Sequence, residues 1–128
     1  MWGNFGRLAL LLSFALLLSA CGGGGVGTQP GGCSSTPDPD AIITPGSVMV
    51  KVNAQQSFTA SFSGTLIWSV NGIVGGNATV GTIVSTATPN GPNSALYTAP
   101  ASVPSPNTVT VNASHCATSA NATVTIVP

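Results

Sequence analysis

The sequence predicts an all-β protein: one β-sandwich of about seven strands over residues 41–128, behind a cleaved signal and a disordered tether. Three observations lead there. Beyond residue 40 the apolar residues recur at every second position in short runs, the period of a strand with one buried face. Clusters of Pro, Gly and Asn separate those runs at the spacing of a sandwich. No stretch after residue 40 carries a helical period. Composition agrees, because only 3% of the 128 residues are charged. The polar surface must therefore come from Ser, Thr and Asn, and Thr suits strands better than Lys or Glu do.

From the amino terminus, residues 1–7 carry Arg7, and residues 8–18, LALLLSFALLL, form an apolar block. That block is shorter than the roughly 20 residues a helix needs to span a bilayer. Its length and flanks fit the hydrophobic region of a secretory signal; the competing reading is a buried core helix. Leu18-Ser19-Ala20-Cys21 follows directly. This tetrapeptide resembles the lipobox of bacterial lipoproteins, which implies a signal peptide over residues 1–20, cleavage after Ala20 and lipid on the Cys21 thiol. Acyl chains bury at about 0.8 kcal/mol per methylene, and more than one chain gives durable anchoring. Gly22 in the next position leaves sorting to an outer membrane open by the same resemblance.

Residues 21–40 read as the lipidated cysteine and a Gly/Pro/Ser-rich tether. If flexible, residues 22–40 would reach roughly 25 Å. Asp38 and Asp40 could be taken for metal ligands, but Ca²⁺ wants six to eight oxygens and no other carboxylate side chain follows.

The strand runs come next. In residues 47–53 Val48, Val50 and Val52 share a face; in 57–62 Phe58, Ala60 and Phe62 do so; in 66–70 Leu66, Trp68 and Val70. Residues 81–85 and 94–99 are shorter candidates. Val109, Val111 and Ala113 alternate in 108–113, and Ala122, Val124 and Ile126 in 122–127. Turn chemistry sits between them at Thr44-Pro45-Gly46-Ser47, Asn71-Gly72, Gly75-Gly76-Asn77, Pro89-Asn90-Gly91-Pro92 and Pro104-Ser105-Pro106.

Seven strands with a Trp on the third, carrying FTASFSG, IWSVNG, GGNATVGTI, YTAPA and TVTVNAS…ATVTI in that order, resemble the bacterial Ig-like domains of group 2 and their relatives. The likeness covers roughly residues 42–127. It implies an immunoglobulin-like sandwich, although no Cys stands where the antibody-type inter-sheet disulfide would be. In that topology the first strand starts at the same end as the loop joining the last two strands. With Cys21 taken by lipid, Cys33 and Cys116 remain, and this implied geometry would pair them, pinning the tether to the predicted loop SHCATSAN. Closing 83 positions of chain is worth roughly 4 kcal/mol in the chain-entropy model. Two unpaired thiols are the alternative.

Candidate chemistry is thin. His115 beside Cys116 invites a nucleophile or a metal ligand, but neighbours in sequence tend to point apart, and His115, Cys116 and Cys33 make three zinc ligands where a structural site takes four. A surface-loop histidine is the plainer expectation, with no metal and no cofactor. Both Asp residues lie in the tether, which argues against a serine triad and against the paired carboxylates of a glycosidase. The GVGTQPGG glycines lack a P-loop lysine. Clustered Lys and Arg for nucleic acid are absent from the sequence. The aromatic candidates for a sugar platform are Phe58, Phe62, Trp68 and Tyr97; the first three fall on expected core faces and Tyr97 is open. The Asn-x-Ser/Thr sites at Asn77, Asn112 and Asn121 reflect composition. The resemblances together imply a non-enzymatic, lipid-anchored protein of the bacterial cell envelope, at the outer membrane if the cell has one. Its partners would be the membrane through Cys21 and a protein, with the sandwich as a structural or adhesion module. The alternatives are a carbohydrate-binding module and a passive remnant of a longer chain.

Overall fold

The computed structural model describes Cys33, residues 35–88 and residues 91–128; the expected signal and Cys21 lie outside the described residues. Ten strands occur in chain order: β1 (Ile43–Thr44), β2 (Ser47–Lys51), β3 (Gln55–Ala60), β4 (Ile67–Val70), β5 (Ile73–Val74), β6 (Gly76–Asn77), β7 (Gly81–Ser85), β8 (Asn93–Thr98), β9 (Thr108–His115) and β10 (Thr118–Val127). They form two five-stranded sheets, β1-β3-β8-β7-β6 and β2-β10-β9-β4-β5, packed as a sandwich.

Seven of these strands fall on the seven expected runs. The three extra ones, β1, β5 and β6, are two residues long, too short to carry a period. The first of them has a clear role. β1 pairs antiparallel with β3 in one sheet, and after the Thr44-Pro45-Gly46 turn the chain crosses to the other sheet, where β2 runs parallel to β10 with Val48 opposite Val124. The opening segment thus closes both sheets at one edge of the sandwich. Three of the four sheet edges are two-residue strands, and the fourth, β2, carries Lys51. Short or charged edges offer little template for pairing with another chain.

The alternation in sequence becomes the core. Phe58, Val70, Val109, Val111, Val124 and Ile126 are fully buried, each on an expected inward position, and Tyr97 joins them at 0% exposure. Burying side chains of this size stabilises the fold by about 1.5–3 kcal/mol apiece. Phe58 and Tyr97 meet edge to face, with ring centroids 6.5 Å apart. Trp68 on β4 is buried across from Ala113 of β9.

Two hairpin turns matter below. Val70 pairs with Ile73, so Asn71-Gly72 forms a two-residue turn with φ of 48° and 79°. Positive φ at both positions is the type I′ pattern that matches strand twist. Asn71 adds a local clamp: its Oδ1 accepts from the Thr110 amide at 2.8 Å, and its own amide donates to the Thr110 carbonyl at 2.8 Å. The second turn corrects an expectation. The loop expected around SHCATSAN is a two-residue connection, because His115 pairs with Thr118 and β9 and β10 run up to it on both sides. Backbone pairing continues through these small polar residues without needing an apolar face.

A candidate site where the tether meets the sandwich

The polar features converge on one corner, built from the β9–β10 turn, the segment between β3 and β4, and residues 33–41. Cys33 and Cys116 form a disulfide, with Cα atoms 5.2 Å apart and a sequence separation of 83. Cys116 takes φ of 56° at the first position of the turn, a conformation that usually goes to glycine. The chain beyond Cys33 is fastened again at Asp38, whose amide donates to Thr118 Oγ1 at 2.9 Å. Asp38 Oδ1 accepts from the Asp40 amide at 3.0 Å, a local turn of the kind short acidic side chains favour. The Ile42 amide donates to Ser61 Oγ at 3.0 Å, and that hydroxyl donates to the Asp40 carbonyl. Residues 38–42, on both sides of the expected end of the tether, are therefore held against the sandwich by named hydrogen bonds.

His115 is the last residue of β9 and half-buried, not a histidine on an open loop. Its Nδ1 lies 3.0 Å from the Thr65 carbonyl oxygen. A carbonyl only accepts, so in the neutral imidazole this contact selects the tautomer with the proton on Nδ1 and the lone pair on Nε2. Gly64 packs against the same ring. A Cβ on Gly64 would lie 2.6 Å from Cδ2, 2.6 Å from Nε2 and 2.8 Å from Cε1. Three nearly equal distances place that point over the ring face. A point in the ring plane along the Nε2 lone pair would be clearly farther from the two carbons than from the nitrogen. Glycine therefore supports the ring from one face and does not itself stand in the plane of the Nε2 lone pair. Its φ of 112° is likewise one that other residues rarely adopt.

Beside this corner lies a cleft of about 320 Å³, lined by Asp38, Phe62, Gly64, His115, Cys116 and Thr118 among others. A second depression of about 630 Å³ shares Ser63 and Gly64 with it and is walled by hydroxyl and amide groups such as Thr65, Ser85 and Asn93. Sulfur and imidazole meet at the first cleft: the Sγ atoms of Cys33 and Cys116 and a ring nitrogen of His115 all lie within 4.8 Å of one another. The sequence brings out the trio of His115, Cys116 and Cys33, but nothing local signals how the imidazole is oriented, because Gly64 and Thr65 are about fifty positions away from it.

The remaining candidates resolve as structure. Phe58, Phe62, Trp68 and Tyr97 are all buried, so none of these rings offers a face for stacking a sugar. Tyr97 Oη donates to the Val80 carbonyl at 2.7 Å, and burial pushes its pKa up from 10.0 to about 12. Asn77 Oδ1 accepts from the amides of Thr79 and Val80, and Asn112 Nδ2 donates to Ala120 O and Asn121 Oδ1. These asparagines are engaged in turns and cross-strand bonds. Among the described residues, no helix is long and apolar enough to cross a membrane.

Fold and site together define a disulfide-clamped all-β sandwich. No family model matches the chain, and no curated protein is significantly similar to it.

Proposed function

We propose that this chain is a bacterial envelope lipoprotein, anchored through lipid on Cys21, that displays one immunoglobulin-like sandwich as a non-enzymatic structural or protein-interaction module. The observation that carries the reading is Leu18-Ser19-Ala20-Cys21 placed directly behind the apolar block 8–18. The disulfide supports it twice. Persistent disulfides belong to exported compartments, and pairing Cys33 with Cys116 leaves Cys21 as the one remaining cysteine of three. The carbohydrate alternative loses support because the four aromatic rings that would stack on a sugar are buried. The chain's two carboxylate side chains, Asp38 and Asp40, sit at the tether end, where Asp38 closes its own turn, so paired acid–base chemistry has no frame here.

The test is mass analysis of the amino-terminal peptide from a membrane fraction, together with a Cys21→Ala variant. A diacylated, processed Cys21 and release of the variant into the soluble fraction are expected. An unmodified Cys21, or a peptide that still begins at residue 1, overturns the reading. A saturable protein partner captured from envelope extract then separates an interaction module from a passive spacer or remnant.

A further inference from the structure

We propose that the Cys33–Cys116 disulfide masks a metal site: once reduced, the two thiolates and His115 Nε2 bind one thiophilic d¹⁰ cation, with Zn²⁺ as the probe, and the adjoining cleft supplies the open fourth position.

Three independent features point to it. The Sγ atoms of Cys33 and Cys116 and a ring nitrogen of His115 already lie within 4.8 Å of one another, while tetrahedral zinc, with Zn–S of about 2.3 Å and Zn–N of about 2.0 Å, wants its donors roughly 3.5–3.8 Å apart. Opening the sulfur–sulfur bond and turning the two side chains spans that difference. Next, the histidine is set up as a ligand. Metal-bound imidazoles characteristically donate their other ring N–H to a carbonyl or carboxylate, which fixes the tautomer. Nδ1–H on the Thr65 carbonyl does this, and it leaves Nε2 as the free lone pair. The Gly64 backbone holds the ring by its face, where a side chain would collide with it. Finally, the site is open on one side. The cleft of about 320 Å³ touches His115 and Cys116, and two thiolates plus one imidazole with a solvent position is a known zinc arrangement of the non-structural kind. The count of three that argues against a structural zinc is the count this kind of site requires.

The chemistry balances in two steps. A dithiol reductant transfers two electrons and two protons to the disulfide, giving the Cys33 and Cys116 thiols and its own cyclic disulfide. Zn²⁺ then displaces the two thiol protons to solvent, and the two thiolates neutralise its charge. Reduction and metal binding are thus coupled: oxidation expels the ion, and the ion resists reoxidation by occupying both sulfurs. Cys33 and Cys116 are both exposed, so reductant can reach the bond.

The experiment uses the full chain in detergent micelles, carrying Cys21→Ser so that only this pair can respond. The protein is titrated with Zn²⁺ against a chromophoric chelator before and after dithiol reduction, and with Co²⁺ to read thiolate-to-metal charge transfer. The expected result is one Zn²⁺ per reduced chain, no comparable binding by the oxidised chain, and a Co²⁺ spectrum of a two-thiolate tetrahedral site. His115→Ala should weaken Zn²⁺ at least about tenfold, the scale on which even outer-shell partners matter. Cys33→Ser with Cys116→Ser should abolish binding while keeping the β-sheet circular dichroism of the oxidised protein. Equal binding by oxidised and reduced chains, an unchanged affinity in His115→Ala, or no binding by reduced chain overturns the proposal. So does loss of the sheet signature on reduction, since the three donors would then no longer be held together.

Discussion

Tyr97→Phe should destabilise the sandwich at neutral pH and stabilise it at high pH, and the structure sets both magnitudes. Tyr97 sits in the middle of its sheet, opposite Gln56 of β3 and Ile83 of β7, at 0% exposure. Its hydroxyl donates to the Val80 carbonyl at 2.7 Å. Gly81, with φ of 92°, gives the hydroxyl room, because a Cβ there would strike Tyr97 Oη. Removing the hydroxyl deletes one neutral hydrogen bond and leaves a half-buried carbonyl short of a donor, a cost of about 1–2 kcal/mol. For a domain of this size that lowers Tm by roughly 6–12 °C. At high pH the sign turns. In the unfolded chain the phenol ionises from pH 10.0, whereas in the fold burial holds it protonated to about 12. Between those values the folded state keeps a proton that the unfolded state has released. Stability therefore falls as pH rises, by 1.36 kcal/mol per unit and just under about 3 kcal/mol across the window. Tyr97 is the chain's one tyrosine, and the phenylalanine variant has no such group to lose. The two stability curves should cross near about pH 11. Urea unfolding followed by circular dichroism from pH 7 to 12 measures this directly. A constant difference between the two proteins over that range would refute the buried, hydrogen-bonded phenol.

Three further substitutions at two positions probe the corner and a turn. Gly64→Ala puts a methyl over the His115 ring at a φ of 112°. It should cost about 1–3 kcal/mol in thermal unfolding and shift the imidazole proton resonances, whereas unchanged resonances would show that the ring does not rest on Gly64. At Asn71, with φ of 48°, alanine loses both the tolerated left-handed conformation and the bond to the Thr110 amide, for about 2 kcal/mol. Glycine loses only the bond, so Asn71→Gly should recover roughly half of that deficit, and equal losses would assign the whole effect to the side-chain bond.

What the sequence conveyed follows from how local each signal is. Inward positions on β3, β4, β9 and β10 were legible because period two is written residue by residue, and Phe58, Val70, Val111 and Val124 are buried accordingly. Asn71-Gly72 was legible because positive φ selects those residue types. Strands of two residues have no period, so β1, β5 and β6 were invisible until their partners were placed. The run from Ser114 to Asn121 reads as a loop because its residues are small and polar, yet the β9–β10 ladder pairs backbones and continues through it. The face of Tyr97 depended on Val80 and Gly81, seventeen and sixteen positions earlier. The disulfide was inferable only through topology; the histidine beside it was visible as a neighbour of Cys116, but its orientation was not, since Thr65 and Gly64 enter from another strand connection.

The clamp at Cys33 changes what the segment before it can do. Under the lipoprotein reading, the chain between lipid and sandwich is not the whole stretch to residue 40. It ends at Cys33, which is bonded to the β9–β10 turn. From Cys21 to Cys33 a fully extended chain spans at most about 43 Å, which would bound how far the corner bearing His115 can stand from the lipid. Reducing the disulfide would release the chain at Cys33 and leave it held by contacts further along, the Asp38 amide on Thr118 Oγ1 among them. The same two-electron event would then expose the thiolate–imidazole donors and lengthen the leash. Redox state, cation binding and distance from the bilayer would thus be coupled through one bond, which gives a physical reason for placing that bond at the junction of tether and fold.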